Sequence, residues 1–168
     1  RFGIGLSAKV GSALRILITA EILSYYTGAE LYARDLALRL RDHGHSVAIY
    51  ARLCGGLARS LRASGLLVTS SLSRVPWEPD VIHGHHTAAT LCAITRFPRA
   101  PALYVCHDHM HWIDTPPRHP RIRTYVGVSR VCMRRIEREC AQSGASGAPI
   151  QFVPNWVDER RFVPRSPL

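Results

Sequence analysis

The residues best suited to chemistry fall in two short clusters. His83, His85 and His86 form one, and His107, Asp108, His109 and His111 form the other. An imidazole changes charge close to neutral pH, so either cluster could supply a general base or a hydrogen-bonding partner for a substrate. Histidines at this density could also ligate a metal. On a strand, His107, His109 and His111 would share one face. The prolines that follow, Pro116, Pro117 and Pro120, instead place them at the start of an extended loop. Two further stretches, Thr27-Gly28-Ala29-Glu30 and Ser129-Arg130, read as helix starts. Their unpaired backbone N–H groups favour phosphate or carboxylate.

The elements that must position these groups alternate between strand and helix. Leu14 to Ala20 is a short apolar run of the kind buried on both faces of a parallel sheet. Thr27 and Glu30 stand in the spacing of a capping box. The helix they open carries Ala29, Tyr32, Ala33, Leu36 and Leu40 on one face, with Glu30–Arg34 and Asp35–Arg39 as i,i+4 pairs on the other. Gly44 stops this helix, and His45 to Tyr50 is the second strand. The segment from Cys54 to Ser64 reads as a loop or short helix.

A third strand spans Leu66 to Ser70, and Ser71 to Pro79 is a connector without regular structure. Val81 to His83 is a fourth strand with His85 and His86 beyond its end. Thr87 caps a helix from Ala88 to about Arg96. Ala102 to Cys106 and Thr124 to Val128 are the fifth and sixth strands. Ser129 caps a helix with Val131, Cys132, Ile136 and Cys140 on its apolar side, and Ile150 to Val153 is the last strand. The pattern predicts an α/β fold: a doubly wound, mainly parallel, Rossmann-like sheet with helices on both faces. In such a sheet both histidine clusters and the Thr27–Glu30 turn meet at the carboxyl edge, where ligands bind.

Length and composition fit one ordinary domain. The chain has 168 residues and is 46% hydrophobic, with a mean hydropathy of −0.03. Arg1 to Ala13 reads as a flexible leader or a cloning remnant, residues 14–163 as the domain, and residues 164–168 as the start of a linker. Five cysteines without a C-x-x-C pair suggest free thiols in a reducing compartment, and hence the cytoplasm. The net charge is +10, with 22 basic residues that are all arginine except Lys9. An arginine-rich surface suits an anionic ligand or peripheral contact with the inner face of a membrane. No aromatic and basic platform for nucleic acid is present. The first loop lacks G-x-G-x-x-G and G-x-x-x-x-G-K-[ST], and no G-x-S-x-G elbow occurs. Dinucleotide enzymes, P-loop NTPases and α/β-hydrolases are thereby set aside.

Several pieces then line up in order. They are Arg15 to Ile18, Thr27-Gly28-Ala29-Glu30 leading to Leu36 to Leu40, and His43-Gly44-His45-Ser46-Val47. Pro79-Asp80-Val81-Ile82-His83-Gly84-His85 and Tyr125-Val126-Gly127-Val128-Ser129 follow. The last is Val153-Pro154-Asn155-Trp156-Val157-Asp158, with Arg161-Phe162. Over about residues 14–163 the chain resembles the amino-terminal half of a family 4 (group 1) glycosyltransferase of the GT-B fold. The family usually has two glycines before the Ala-Glu pair, and Thr27 stands in place of the first.

The resemblance implies a hexosyltransferase that moves a sugar from a nucleotide-sugar to a hydroxyl acceptor, with no metal and no other cofactor. It implies that this half binds the acceptor and that a carboxy-terminal donor-binding domain completes the enzyme, so that the isolated half is inactive. Gly28, with Thr27, Ala29 and Glu30, would lie near the donor phosphates. His85 or His86 with His107 would line the acceptor side as catalytic candidates. Asp108, Ser129 and Arg130 would join Gly28 and its neighbours in binding the donor phosphates or the substrate, as would Asn155, at the domain junction. Two other readings stand beside it. His83-Gly84-His85-His86 resembles the opening of the H-x-H-x-D-H pattern of metallo-β-lactamase-like hydrolases, without its aspartate. A stand-alone module for an anionic ligand is the second.

Overall fold

The computed structural model describes residues 12–141 and 147–157. The leader up to residue 11, the 164–168 segment, Asp158, Arg161 and Phe162 lie outside the described residues. Within them lie seven strands: β1 Arg15–Leu23, β2 Ser46–Cys54, β3 Leu67–Thr69, β4 Val81–His85, β5 Ala102–Cys106, β6 Ile122–Gly127 and β7 Ile150–Phe152. Four helices connect them: α1 Gly28–Asp42, α2 Gly56–Ala63, α3 Thr87–Arg96 and α4 Arg130–Ala141.

All strand pairs are parallel, in the order β3-β2-β1-β4-β5-β6-β7. The chain moves outward from β1 to β3, then returns to the other side of β1 with β4. This is a Rossmann-like, doubly wound α/β fold, and its topological switch point lies between β1 and β4.

The strands are aliphatic because helices cover both faces. Ile16, Ile18 and Ala20 of β1 pack with Ala33 and Ala37 of α1 and with Leu57, Ala58 and Leu61 of α2. Leu17, Ala48, Ile82 and Tyr104 point the other way, against Ala89, Ala93 and Ile94 of α3 and Cys132 and Ile136 of α4. Alternate residues of one strand thus feed two separate cores. Gly84 lets α3 approach β4 closely: a Cβ there would lie 2.6 Å from Thr90 Cγ2 and 2.9 Å from the Leu103 carbonyl. Gly44, at φ +85°, ends α1 as expected, because that backbone conformation excludes most side chains.

Several local expectations are corrected. Glu30 does not pair outward with Arg34; it is 5% exposed, and Arg34 instead pairs with Asp35 at 2.6 Å. Thr27 precedes α1 but makes no side-chain cap bond. Thr87 begins α3 rather than capping it. Its hydroxyl donates to the carbonyls of Ile113, at 3.2 Å, and Thr115. The 71–79 connector contains a single 3₁₀ turn, Leu72–Arg74. Val131 is 40% exposed and leaves the apolar side of α4 to Cys132 and Ile136. Ser129 caps α4 as expected, its Oγ accepting from the Cys132 N–H at 3.2 Å.

Candidate functional site

The fourth strand runs two residues further than its sequence suggested, so His85 joins His83 inside β4 rather than lying beyond it. Being two residues apart, they share the face turned toward α1. His107 follows β5 on the same face. His83 Nδ1 lies 2.9 Å from His85 Nε2, and His85 Nδ1 lies 2.7 Å from His107 Nε2. Tyr32 of α1 packs its ring edge-on against His85 and His107, at 5.5 and 4.9 Å between centres. His85 is fully buried. Burial disfavours the charged imidazolium. It brings His107 down to about 3 and His83 to about 4, and holds His85 well below its ordinary value.

At the switch point the β1 and β4 backbones part, and side chains replace the ladder. Thr19 Oγ accepts from the His85 N–H and lies within bonding distance of the His85 carbonyl and of Thr90 Oγ, each at 3.0 Å. His86, the residue before α3, has φ +62° and ψ 137°. For a side-chain-bearing residue this is strained by about 1–3 kcal/mol. The strain is held by Glu21, whose N–H donates to His86 Nδ1 at 3.0 Å. Thr90 adds two bonds to the His86 carbonyl, from its N–H at 3.1 Å and its hydroxyl at 2.8 Å. Burial lowers His86 to about 4, and nearby His111 adds to the effect.

The loop after β5 is fastened from beneath. Asp114, 1% exposed, accepts on Oδ2 from the N–H groups of His107 and Asp108. On Oδ1 it accepts from the Tyr104 hydroxyl at 3.0 Å. Burial raises its carboxyl to about 6 against the pull of those donors. Arg135 of α4 donates to the carbonyls of Asp108 and His111 and to Thr115 Oγ, each at 2.9 Å. Asp108 turns its Oδ1 back on its own loop, accepting from the N–H of Met110 at 2.6 Å and of His111 at 2.8 Å. Above this floor Trp112 and Met110 are 75% and 79% exposed, and Tyr25 and Tyr26 extend from the loop after β1 on the same edge.

The predicted anion-binding turn at α1 opens onto the same region. Glu30 Oε2 accepts from the Tyr25 N–H at 2.8 Å, so this carboxylate shapes the loop. A Cβ at Gly28 would meet nothing within 4 Å, so the packing of the fold does not itself require glycine there. A groove of about 580 Å³ runs along α1, lined in part by Gly28, Tyr32, Arg34, Asn155 and Trp156. Arg39 lies over the Trp156 ring at 5.7 Å. The groove thus joins Gly28 and Asn155, predicted separately, through Tyr32 to the histidines. Ser129 and Arg130 stand at the start of α4, at the end of β6, with Arg130 exposed.

Sequence reasoning missed Tyr32 as a site residue, and it missed Thr19, Asp114 and Arg135. Arg135 had a signal: it sits beside Ile136 and three residues after Cys132, on what should be an apolar stripe. Asp114 had none, because its partners come from β5 and its own loop. Among the described residues no group of three or more His, Cys, Asp or Glu side chains could hold a metal ion. The buried imidazoles point at one another rather than at a shared centre.

No family model matches the sequence, and no curated protein matches it. In shape the chain is similar to a solved glycosyltransferase from Rickettsia africae ESF-5, with a TM-score of 0.53 and 15% identity. The match covers 86% of this chain and 44% of that one, so the chain spans less than half the length of that protein. At this identity the likeness is one of fold.

Proposed function

We propose that this chain is the acceptor-binding half of a family 4, GT-B glycosyltransferase that moves a hexose from a nucleotide-sugar to a hydroxyl. The observation that carries the reading is the cluster of His85, His86 and His107 at and beyond the ends of β4 and β5, which Tyr32 of α1 links to the groove that Gly28 lines. The fold likeness to a glycosyltransferase of which this chain covers 44% supports it and suggests a second α/β domain on the far side of the crevice. In this reading a donor diphosphate lies against the start of α1, where the open space over Gly28 lets it approach the backbone N–H groups. The helix amides and nearby arginines meet the leaving charge, and no metal is assigned.

His107 meets the acceptor hydroxyl. Its Nε2 is taken by His85, so Nδ1 is the nitrogen left for a substrate. Strained His86 borders the same space. The exposed Trp112, Tyr25 and Tyr26 offer flat apolar faces to an acceptor. The reading places the protein in the cytoplasm, with its arginine-rich surface available to the inner face of a membrane. No helix among the described residues is long and apolar enough to cross one.

The test compares turnover of a panel of nucleotide-sugars by the whole gene product and by residues 1–168 alone. The reading predicts transfer by a gene product that continues past Leu168 into a second domain, and none by the isolated half. Turnover by the half alone, or a stop codon after Leu168, contradicts it.

A further inference from the structure

His83, His85 and His107 are not three independent imidazoles. Their ring centres are 4.8 and 4.9 Å apart, and their planes lie within 29° and 25° of parallel. Rings stacked face to face could not also bring nitrogens to 2.9 and 2.7 Å. The rings therefore run end to end and nearly coplanar, with each N–H aimed at the lone pair of the next ring. Among the described residues no other residue bonds the two outer nitrogens, His107 Nδ1 and His83 Nε2, and the His83 ring also bonds its own backbone.

Proton bookkeeping constrains this row. Three neutral imidazoles carry three protons on six nitrogens. Each of the two N···N contacts holds one proton, because two would repel and none would leave lone pairs facing each other. The third proton must sit on an outer nitrogen, at one end or the other. Only two arrangements satisfy the row: all three rings protonated on Nδ1, or all three on Nε2.

We propose that His107, His85 and His83 form a tautomeric relay that passes a proton along the α1 face of the sheet, from His107 to His83, without charging the buried pocket. Starting with all three rings protonated on Nε2, His107 Nδ1 takes the proton of an acceptor hydroxyl. The His107 Nε2 proton moves to His85 Nδ1, and the His85 Nε2 proton to His83 Nδ1. His83 is only partly buried, and its Nε2 proton leaves to water. Every ring ends neutral and protonated on Nδ1, and one proton has crossed. His107 is the ring that touches substrate; His85 and His83 are positioning residues that fix its tautomer and drain its proton.

The burial that makes each single imidazolium unfavourable is the reason a concerted shift serves better than a lone base. Tyr32 closes the row from α1 by ring contact alone, at an edge-on angle to both His85 and His107. The use of the relay in sugar transfer rests on the function proposed above. The coupling of the three tautomers does not.

The experiment uses the 168-residue chain labelled with ¹⁵N-histidine, without any sugar. Long-range ¹H–¹⁵N correlation at pH 7 reads the protonated nitrogen of each ring. The relay predicts the same Nδ1-protonated fraction on His83, His85 and His107, and at least a twofold change in the His107 ratio in His83→Phe. Unequal fractions in the unmodified chain overturn the proposal, whether or not the variant folds. So does a His107 ratio unmoved by His83→Phe in a folded variant. If the tautomers are coupled but the gene product transfers no sugar, the function reading fails and the relay stands.

Discussion

The carboxyl ends of β1 and β2 and those of β4 and β5 occupy equivalent places in one sheet, yet they are built from opposite materials. The first pair carries Ala20, Leu23 and Ala51 buried against α1 and α2, with the Glu21–Arg52 ion pair and exposed Leu53 at its rim. The second ends in His83, His85, Cys106 and His107, with Asp114 beneath. Aliphatic burial is tolerant, since a change there costs area and volume but leaves no group unsatisfied. Polar burial is not tolerant, because each group is held by one or two specific partners. A domain that needed only to fold would have no use for the second arrangement. The strained His86 lies on the same side of the division. The β1–β2 half is therefore mostly frame, although Thr19 and Glu21 of β1 hold His85 and His86, and the β4–β5 half carries most of the proposed site.

Acid should separate the halves most sharply. His83, His85, His86 and His107 are all held below their ordinary range. Between about pH 6.5 and pH 4 the unfolded chain binds protons that these folded rings refuse, so stability falls as pH falls. Each ring contributes up to about 1.4 kcal/mol per pH unit. Asp114, raised to about 6, works the other way and gains stability as pH drops through that value. Glu30, raised by burial, acts with Asp114, so four groups oppose two. Against a usual total of about 5–15 kcal/mol, the chain should unfold in acid between about pH 4 and 5.5. Circular dichroism against pH checks this, and a flat profile down to pH 4 would erase the distinction between the halves.

Single substitutions sharpen it further. Leu17→Ala, in the buried frame, should cost about 3 kcal/mol in denaturant unfolding while leaving hydrogen exchange at His107 to Ile113 unchanged. Asp114→Asn should cost about 2 kcal/mol, because its uncharged carbonyl accepts the His107 and Asp108 N–H groups more weakly and its NH2 replaces the oxygen that accepts from the Tyr104 hydroxyl. It should also speed exchange across that loop, the reverse of the Leu17 pattern. Equal loop exchange in the two variants would show that the loop floor is not a separate unit. Gly28→Ala comes last. It should leave stability within about 0.5 kcal/mol of the unmodified chain, since the added methyl meets open space. In the gene product it should raise KM for the nucleotide-sugar severalfold, and an unchanged KM would remove Gly28 from the site.

The frame was legible in the sequence because it depends on local pattern. Runs such as Leu14 to Ala20 and Ala102 to Cys106, separated by helical spacing and glycine stops, give strand count and class with little help from tertiary contacts. The site was legible only in part. His83 read as the end of a strand and His85 as beyond it, because a polar side chain argues against continued burial. The strand continued because His107, from the loop after β5, supplies the partner that makes burial acceptable. Glu30 misled for the same reason: its acceptor role toward Tyr25 N–H is set by the loop's path, not by spacing along α1. Asp114 and Arg135 depend on contacts between distant segments, and a single sequence does not carry that information.

The central claim is that His107 performs the chemistry of this edge, supported by its neighbours. The most direct measurement is the kcat of nucleotide-sugar-dependent transfer by the gene product, before and after His107→Ala. Loss of a positioned acid or base should lower kcat by about 10²–10⁴-fold with KM for the donor little changed. A His107→Ala protein that keeps its kcat would contradict the account.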